Sequence, residues 1–106
     1  MFGFGKPSRE KLAKNNVQAE YNGKDLSGLD LSGLTFTQCD MKRANLTGAN
    51  LSKATFEQCD LTGAIMQGAN IEGTSFEQTD LQGTSITSVA RGAAKYSQCD
   101  GVEDND

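Results

Sequence analysis

Histidine is absent from the 106 residues, which removes Ser/His and Cys/His nucleophilic dyads and the commonest neutral metal ligand. Proline occurs once, aromatic residues make up 7% and hydrophobic residues only 36% of the chain, so a conventional core of large side chains is not available. Charged residues, at an ordinary 23%, do not make a disordered charged linker either. No apolar run approaches the roughly 20 residues that span a bilayer, and residues 1–7 lack the continuous apolar segment of a secretory signal. A cytoplasmic protein without a membrane partner is expected. Three cysteines, an odd number, fit a reducing compartment better than a disulfide framework. No G-x-x-x-x-G-K-[ST] phosphate loop is present. The length suits one domain, and the expectation is a protein that is no enzyme and uses no cofactor and no metal.

What is present is asymmetric charge and a strict period. The formal net charge is −4, yet Lys6, Arg9, Lys11 and Lys14 against Glu10 leave residues 1–14 at +3, so the remainder is clearly acidic. Such a body does not bind nucleic acid directly, because that requires clustered Lys and Arg that release condensed counterions; a basic partner surface suits it. From Tyr21, Leu26, Leu31 and Phe36 through Leu81 and Ile86, large apolar residues recur at every fifth position, fourteen times without a miss. Two residues before each stands a second column, small or apolar everywhere except Lys24. A period of five matches neither the 3.6 of a helix nor the 2 of a long strand. It describes a very short strand followed by a bend, in which the two inward side chains flank one outward one. Glycines such as Gly28, Gly48 and Gly63 stand two after the central apolar residue, where a corner favours positive φ.

Ala44-Asn45-Leu46-Thr47-Gly48 and Ala49-Asn50-Leu51-Ser52-Lys53 resemble the A-(D/N)-L-x-x motif of the pentapeptide-repeat family, over about two thirds of the chain. The resemblance implies an all-β fold, a right-handed parallel β-helix of square cross-section with four pentapeptides and 20 residues per coil. The larger period is visible independently: Phe36-Thr37-Gln38-Cys39-Asp40 returns as Phe56-Glu57-Gln58-Cys59-Asp60, Phe76-Glu77-Gln78-Thr79-Asp80 and Tyr96-Ser97-Gln98-Cys99-Asp100. About four coils follow, a column of about 19 Å at roughly 4.8 Å per strand. The expected division is 1–18 as an N-terminal cap or arm, 19–98 as the β-helix and 99–106 as an acidic tail. An uncapped coil exposes core and unpaired backbone, so a short helix over 8–16, N-capped by Ser8, is expected on the first coil, with Phe2 or Phe4 covering the core. Toward the other end Arg91 and Gly101 interrupt the apolar register.

Of the four outward columns that precede the central residues, one is acidic throughout: Glu20, Asp40, Asp60, Asp80 and Asp100. Asp and Asn at this place can simply hydrogen-bond the local turn, but like charges directly opposite on neighbouring strands are destabilising, which Asn would avoid. Glu57 and Glu77 widen the column across one corner, and Lys42 and Arg43 partly neutralise it. Carboxylates at about 4.8 Å, beside the roughly 3.4 Å rise per phosphate of one DNA strand, imitate a duplex edge. Some pentapeptide-repeat proteins look like DNA and bind DNA gyrase, so the resemblance implies a protein partner with a basic groove, such as a DNA gyrase-like topoisomerase or a nucleic-acid-binding defence complex. A 19 Å column spans only about five or six base pairs, so an end-to-end homodimer, with Arg91 and Tyr96 at the seam, suits that reading. The alternative is a structural scaffold or assembly unit that stacks through its coil ends. Cys39, Cys59 and Cys99 fall in the small inward column and read as packing residues; Gln38, Gln58, Gln78 and Gln98 read as an amide ladder at a corner.

Overall fold

A five-residue unit closes on itself through one short turn, and the backbone shows it unit after unit. Ala44 N–H donates to Met41 O (3.2 Å), Ala49 to Leu46 O (3.0 Å) and Ala54 to Leu51 O (3.0 Å). The third residue of each such turn is left-handed, as at Gly48 (φ 67°) and Gly63 (φ 70°), a conformation that glycine adopts without steric cost. The computed structural model describes residues 6–14, 16–85 and 94–101. Its elements are α1 (Arg9–Lys14), β1 (Thr35–Thr37), β2 (Thr55–Glu57), β3 (Ser75–Glu77) and β4 (Lys95–Ser97). The strands form one parallel sheet in sequence order, each residue paired with the one 20 further on. Single backbone bridges at the other faces, such as Asp25 to Asn45, Asp30 to Asn50 and Asn50 to Asn70, keep the same 20-residue register. The chain is thus a parallel β-helix of square cross-section, right-handed as parallel crossovers are.

The core is made of ladders. Phe36, Phe56 and Phe76 are fully buried, and with Tyr96 their rings stack at 5.2, 5.3 and 5.4 Å with planes 8–12° apart. Met41, Leu61 and Leu81 line the next face, Leu26 and Leu46 another, and Leu31, Leu51 and Ile71 the fourth. Ala44, Ala49, Ala54 and Ala64 fill the space beside them, so a chain with few large side chains still closes its interior.

At the N-terminal end α1 lies over the first coil. Ser8 Oγ accepts from Lys11 N–H at 3.1 Å, the expected N-cap, and Leu12 is fully buried. The Arg9 guanidinium donates to Asp30 O and Ser32 O, both at 2.9 Å, and Lys6 Nζ to Ser27 O at 2.7 Å. The helix is shorter than the expected 8–16, because Asn16 O already accepts from Thr37 N–H and Gln18 N–H donates to Thr37 O, both at 2.8 Å. At the other end the sheet continues through β4, and Gln98 still follows the repeat. Phe2, Phe4, Ile86, Arg91 and residues 102–106 lie outside the described residues.

Candidate functional site

The acidic column forms because backbone pairing holds its residues in register: Glu20 bridges Asp40, Asp40 bridges Asp60, Asp60 bridges Asp80 and Asp80 bridges Asp100. Asp60 Oδ1 accepts from Thr62 N–H (3.0 Å) and Asp80 Oδ1 from Gln82 N–H (3.1 Å). Asp25, Asp30, Asn45, Asn50 and Asn70 do the same for the residue two further on. At Asp60 and Asp80 one carboxylate oxygen is therefore given to the turn.

Charge along the column is uneven. Lys42 Nζ stands 3.0 Å from Asp40 Oδ2 and 3.6 Å from Asp60 Oδ2, bridging two coils. Desolvation works to raise both carboxyls, but Lys42 and Asn22 at Asp40, and Thr62 with the Lys42 charge at Asp60, outweigh it and hold both below the ordinary Asp value. Its hydrogen bond to Asp40 in turn raises Lys42. Gln82 stands where Lys42 and Thr62 stand in the coils below, and no described cation pairs with Asp80 or Asp100. The neutralisation expected of Lys42 is present; Arg43 makes no ion pair among the described residues, its stem instead lying over the next corner, where a Cβ on Gly63 would meet Arg43 Cγ at 3.2 Å. Glu57 and Glu77 face outward on β2 and β3, paired in register, with Thr37 Oγ1 3.5 Å from Glu57 Oε1. Within the Asp residues of the column, Asp80 and Asp100 are thus the ones left without a described cation.

A groove of about 310 Å³ runs along this corner. One wall is the amide ladder, in which Gln18 Nε2 donates to Gln38 Oε1 (3.0 Å), Gln38 to Gln58 (3.2 Å) and Gln78 to Gln98 (3.0 Å). The other wall is Asp40, Asp60, Asp80 and Asp100; Cys39, Cys59 and Thr79 lie between. Glu57 and Glu77 stand beyond the ladder, on the sheet face. The Gln residues are left-handed, with φ 49–56°, although no glycine marks the corner. This is the amide ladder at a corner expected from the repetition of Gln every 20 residues.

The inward column does more than pack. Cys39 Sγ donates to Asn16 O (3.2 Å), Cys59 to Phe36 O (3.2 Å), Thr79 Oγ1 to Phe56 O (3.0 Å) and Cys99 to Phe76 O (3.1 Å), always the carbonyl 23 residues earlier. The contact with the Cys39 sulfur and burial push the Cys59 thiol up. Sequence reasoning saw small residues here; the choice of Cys and Thr over Ala was the sign of a donor column. Among the described residues no group of three or more Cys, Asp or Glu side chains converges on a metal position, and no helix is long and apolar enough to cross a membrane. Of the two seam residues only Tyr96 is described, half-buried and stacked on Phe76.

The family model for pentapeptide repeats matches eight copies, over residues 18–48, 25–63 and 44–83. Among solved structures, a pentapeptide repeat protein from the Arabidopsis thaliana thylakoid lumen superposes with a TM-score of 0.56 at 24% identity, covering 92% of this chain and 68% of that one. A pentapeptide repeat protein from the cyanobacterium Cyanothece 51142 gives 0.40 at 20% identity, covering 79% of this chain and 57% of its own. QnrB1, a plasmid-mediated fluoroquinolone resistance protein, gives 0.45 at 25% identity over 78% of this chain and 51% of its own. No curated protein matches the chain.

Proposed function

Because the chain belongs to the pentapeptide-repeat family, whose regular coils present fixed columns of side chains, we propose that it is a nonenzymatic protein–protein interaction module. Its acidic face, Glu20, Asp40, Asp60, Asp80 and Asp100 with Glu57 and Glu77, docks in the basic groove of a DNA-binding enzyme, a gyrase-like topoisomerase being the target to test. The carrying observation is the unbroken register of the Asp column, one carboxylate residue per coil. Within it Asp80, Asp100 and Glu77 bear most of the interaction, since Lys42 already occupies Asp40 and Asp60. The module works in the cytoplasm, needs no cofactor and contacts no nucleic acid itself.

The test is competition with a short DNA duplex for a bacterial type II topoisomerase. The chain displaces the duplex more strongly as salt falls. Asp80→Asn, Asp100→Asn and Glu77→Gln together weaken displacement on the order of tenfold, about 0.5 kcal/mol for each exposed charge. The Asn side chain keeps the oxygen that the turn uses, so the fold survives. Equal displacement by both forms at low salt overturns the reading. A second reading, assembly through the coil ends, draws on one observation: α1 covers one end, while among the described residues nothing pairs with the outer edge of β4. An oligomer mass that ignores the charge changes and falls with Tyr96→Ala favours that reading.

A further inference from the structure

Cys39 and Cys59 occupy one inward column on consecutive coils, and the residues next to them, Asp40 and Asp60, are joined by a backbone bridge. Both thiols are buried, and both lie along the groove between the Gln38–Gln58 wall and the Asp40–Asp60 wall, which supplies an entry path. Thr79 separates them from Cys99. Neighbouring strands stand about 4.8 Å apart. The backbone holds that spacing, with Asp60 N–H donating to Cys39 O at 3.0 Å. The same spacing suits a shared metal ion. A metal–thiolate bond is about 2.3 Å, so an ion midway between two opposed sulfurs wants them about 4.6 Å apart.

We propose that Cys39 and Cys59 form a linear two-coordinate site for a soft divalent cation of the mercuric class, linking the coil of β1 to the coil of β2. On binding, both S–H bonds break and two sulfur–metal bonds form. The two protons leave through the groove to solvent, and no electron changes hands. A divalent ion with two thiolates is neutral. A monovalent soft ion would leave one net negative charge in the interior, which burial disfavours, beside Asp40 and Asp60. Hard or tetrahedral ions find two ligands where they need four.

The reduced full chain, freed of reductant, is titrated with mercuric chloride and followed by thiolate-to-metal charge-transfer absorption, native mass and thermal unfolding. One ion per chain resists an equimolar monothiol and raises Tm, whereas zinc does neither. Cys39→Thr and Cys59→Thr each abolish the resistant ion. Their fold is tolerated, because Thr79 makes the same carbonyl bonds in the same column. Cys99→Thr keeps the ion. Thr79→Cys, which leaves Cys39 and Cys59 in place and gives four stacked thiols, binds a second resistant ion. Retention of the ion by Cys39→Thr, its loss with Cys99→Thr, a single ion in Thr79→Cys, or an ion that the monothiol removes at once overturns the proposal.

Discussion

Gly101 stands where the repeat calls for a large apolar residue, and the structure supplies the reason. Its φ is +84°, and a Cβ there would run into the backbone of Gln82 and Leu81. Gly48 is also left-handed, at +67°, but nothing lies within 4 Å of its would-be Cβ. Gly48→Ala is expected to cost about 1 kcal/mol, the left-handed penalty alone. Gly101→Ala adds a main-chain displacement, and is expected to cost about 2–3 kcal/mol, read as lost hydrogen-exchange protection in the last coil. Equal costs at the two sites would show that the close approach to Gln82 is immaterial. The Gln corners reverse the logic: Gln38, Gln58 and Gln78 accept the left-handed penalty, and their amide bonds to neighbouring coils offset it. The five-residue period places those side chains at the corner that glycine turns elsewhere; it does not reveal that Gln turns it in the left-handed conformation.

At the scale of the element, α1 is a cap and not an independent helix. Six residues are far too few for a helix to hold itself in water, so its stability comes from Leu12 in the core and from Arg9 and Lys6 on the carbonyls of the first coil. Leu12→Ala is expected to destabilise the protein by about 2–5 kcal/mol. Arg9→Ala, at an exposed position, should cost about 1 kcal/mol. Urea unfolding of the two variants separates them, and a Leu12→Ala loss below that of Arg9→Ala would reassign the cap to its polar contacts. Ser8 as an N-cap made this helix legible in the sequence; that Leu12 would anchor it in the core was decided by the structure. Its early end was not legible, because Asn16 and Gln18 leave the helix to pair with Thr37, 19 to 21 residues away. Strand β4 was legible too, since Lys95-Tyr96-Ser97 repeats the strand segments before it.

For the whole molecule, the carboxylates set the acid limit of stability. Asp40, Asp60, Asp25 and Asp30 are all held below their ordinary value. Hydrogen bonds with Ser27 and Ser32 lead at Asp25 and Asp30. The folded state then binds fewer protons than the unfolded chain around pH 4, so stability is fully present above that pH and falls as pH drops through the folded values. Thermal unfolding should show a Tm that declines below about pH 4. Lys42→Met should shift that decline upward in pH, because it removes the cation shared by Asp40 and Asp60. A decline unchanged by Lys42→Met would place the acid sensitivity in the Asx turns alone.

The five-residue period, the 20-residue return of Phe-x-Gln-Cys/Thr-Asp and the acidic column are properties of the sequence, and they determined the coil, the register and which side chains face outward. Identical positions in a repeat must stack once the coil closes, so no knowledge of distant contacts was needed. The tertiary structure decided what one-dimensional order cannot express. Lys42 could have reached any neighbouring carboxylate, and only the stacked geometry puts it between Asp40 and Asp60 and leaves Asp80 and Asp100 without a described cation. Cys39, Cys59, Thr79 and Cys99 became donors because the carbonyl 23 residues earlier comes within their reach. The amide ladder and the Asp column became two walls of one groove because a left-handed Gln separates two faces of the prism. For Lys42 with Asp60, and for each thiol or hydroxyl with its carbonyl, the deciding partner sits about one coil away in sequence and about one strand spacing away in space, a proximity that closure of the coil creates.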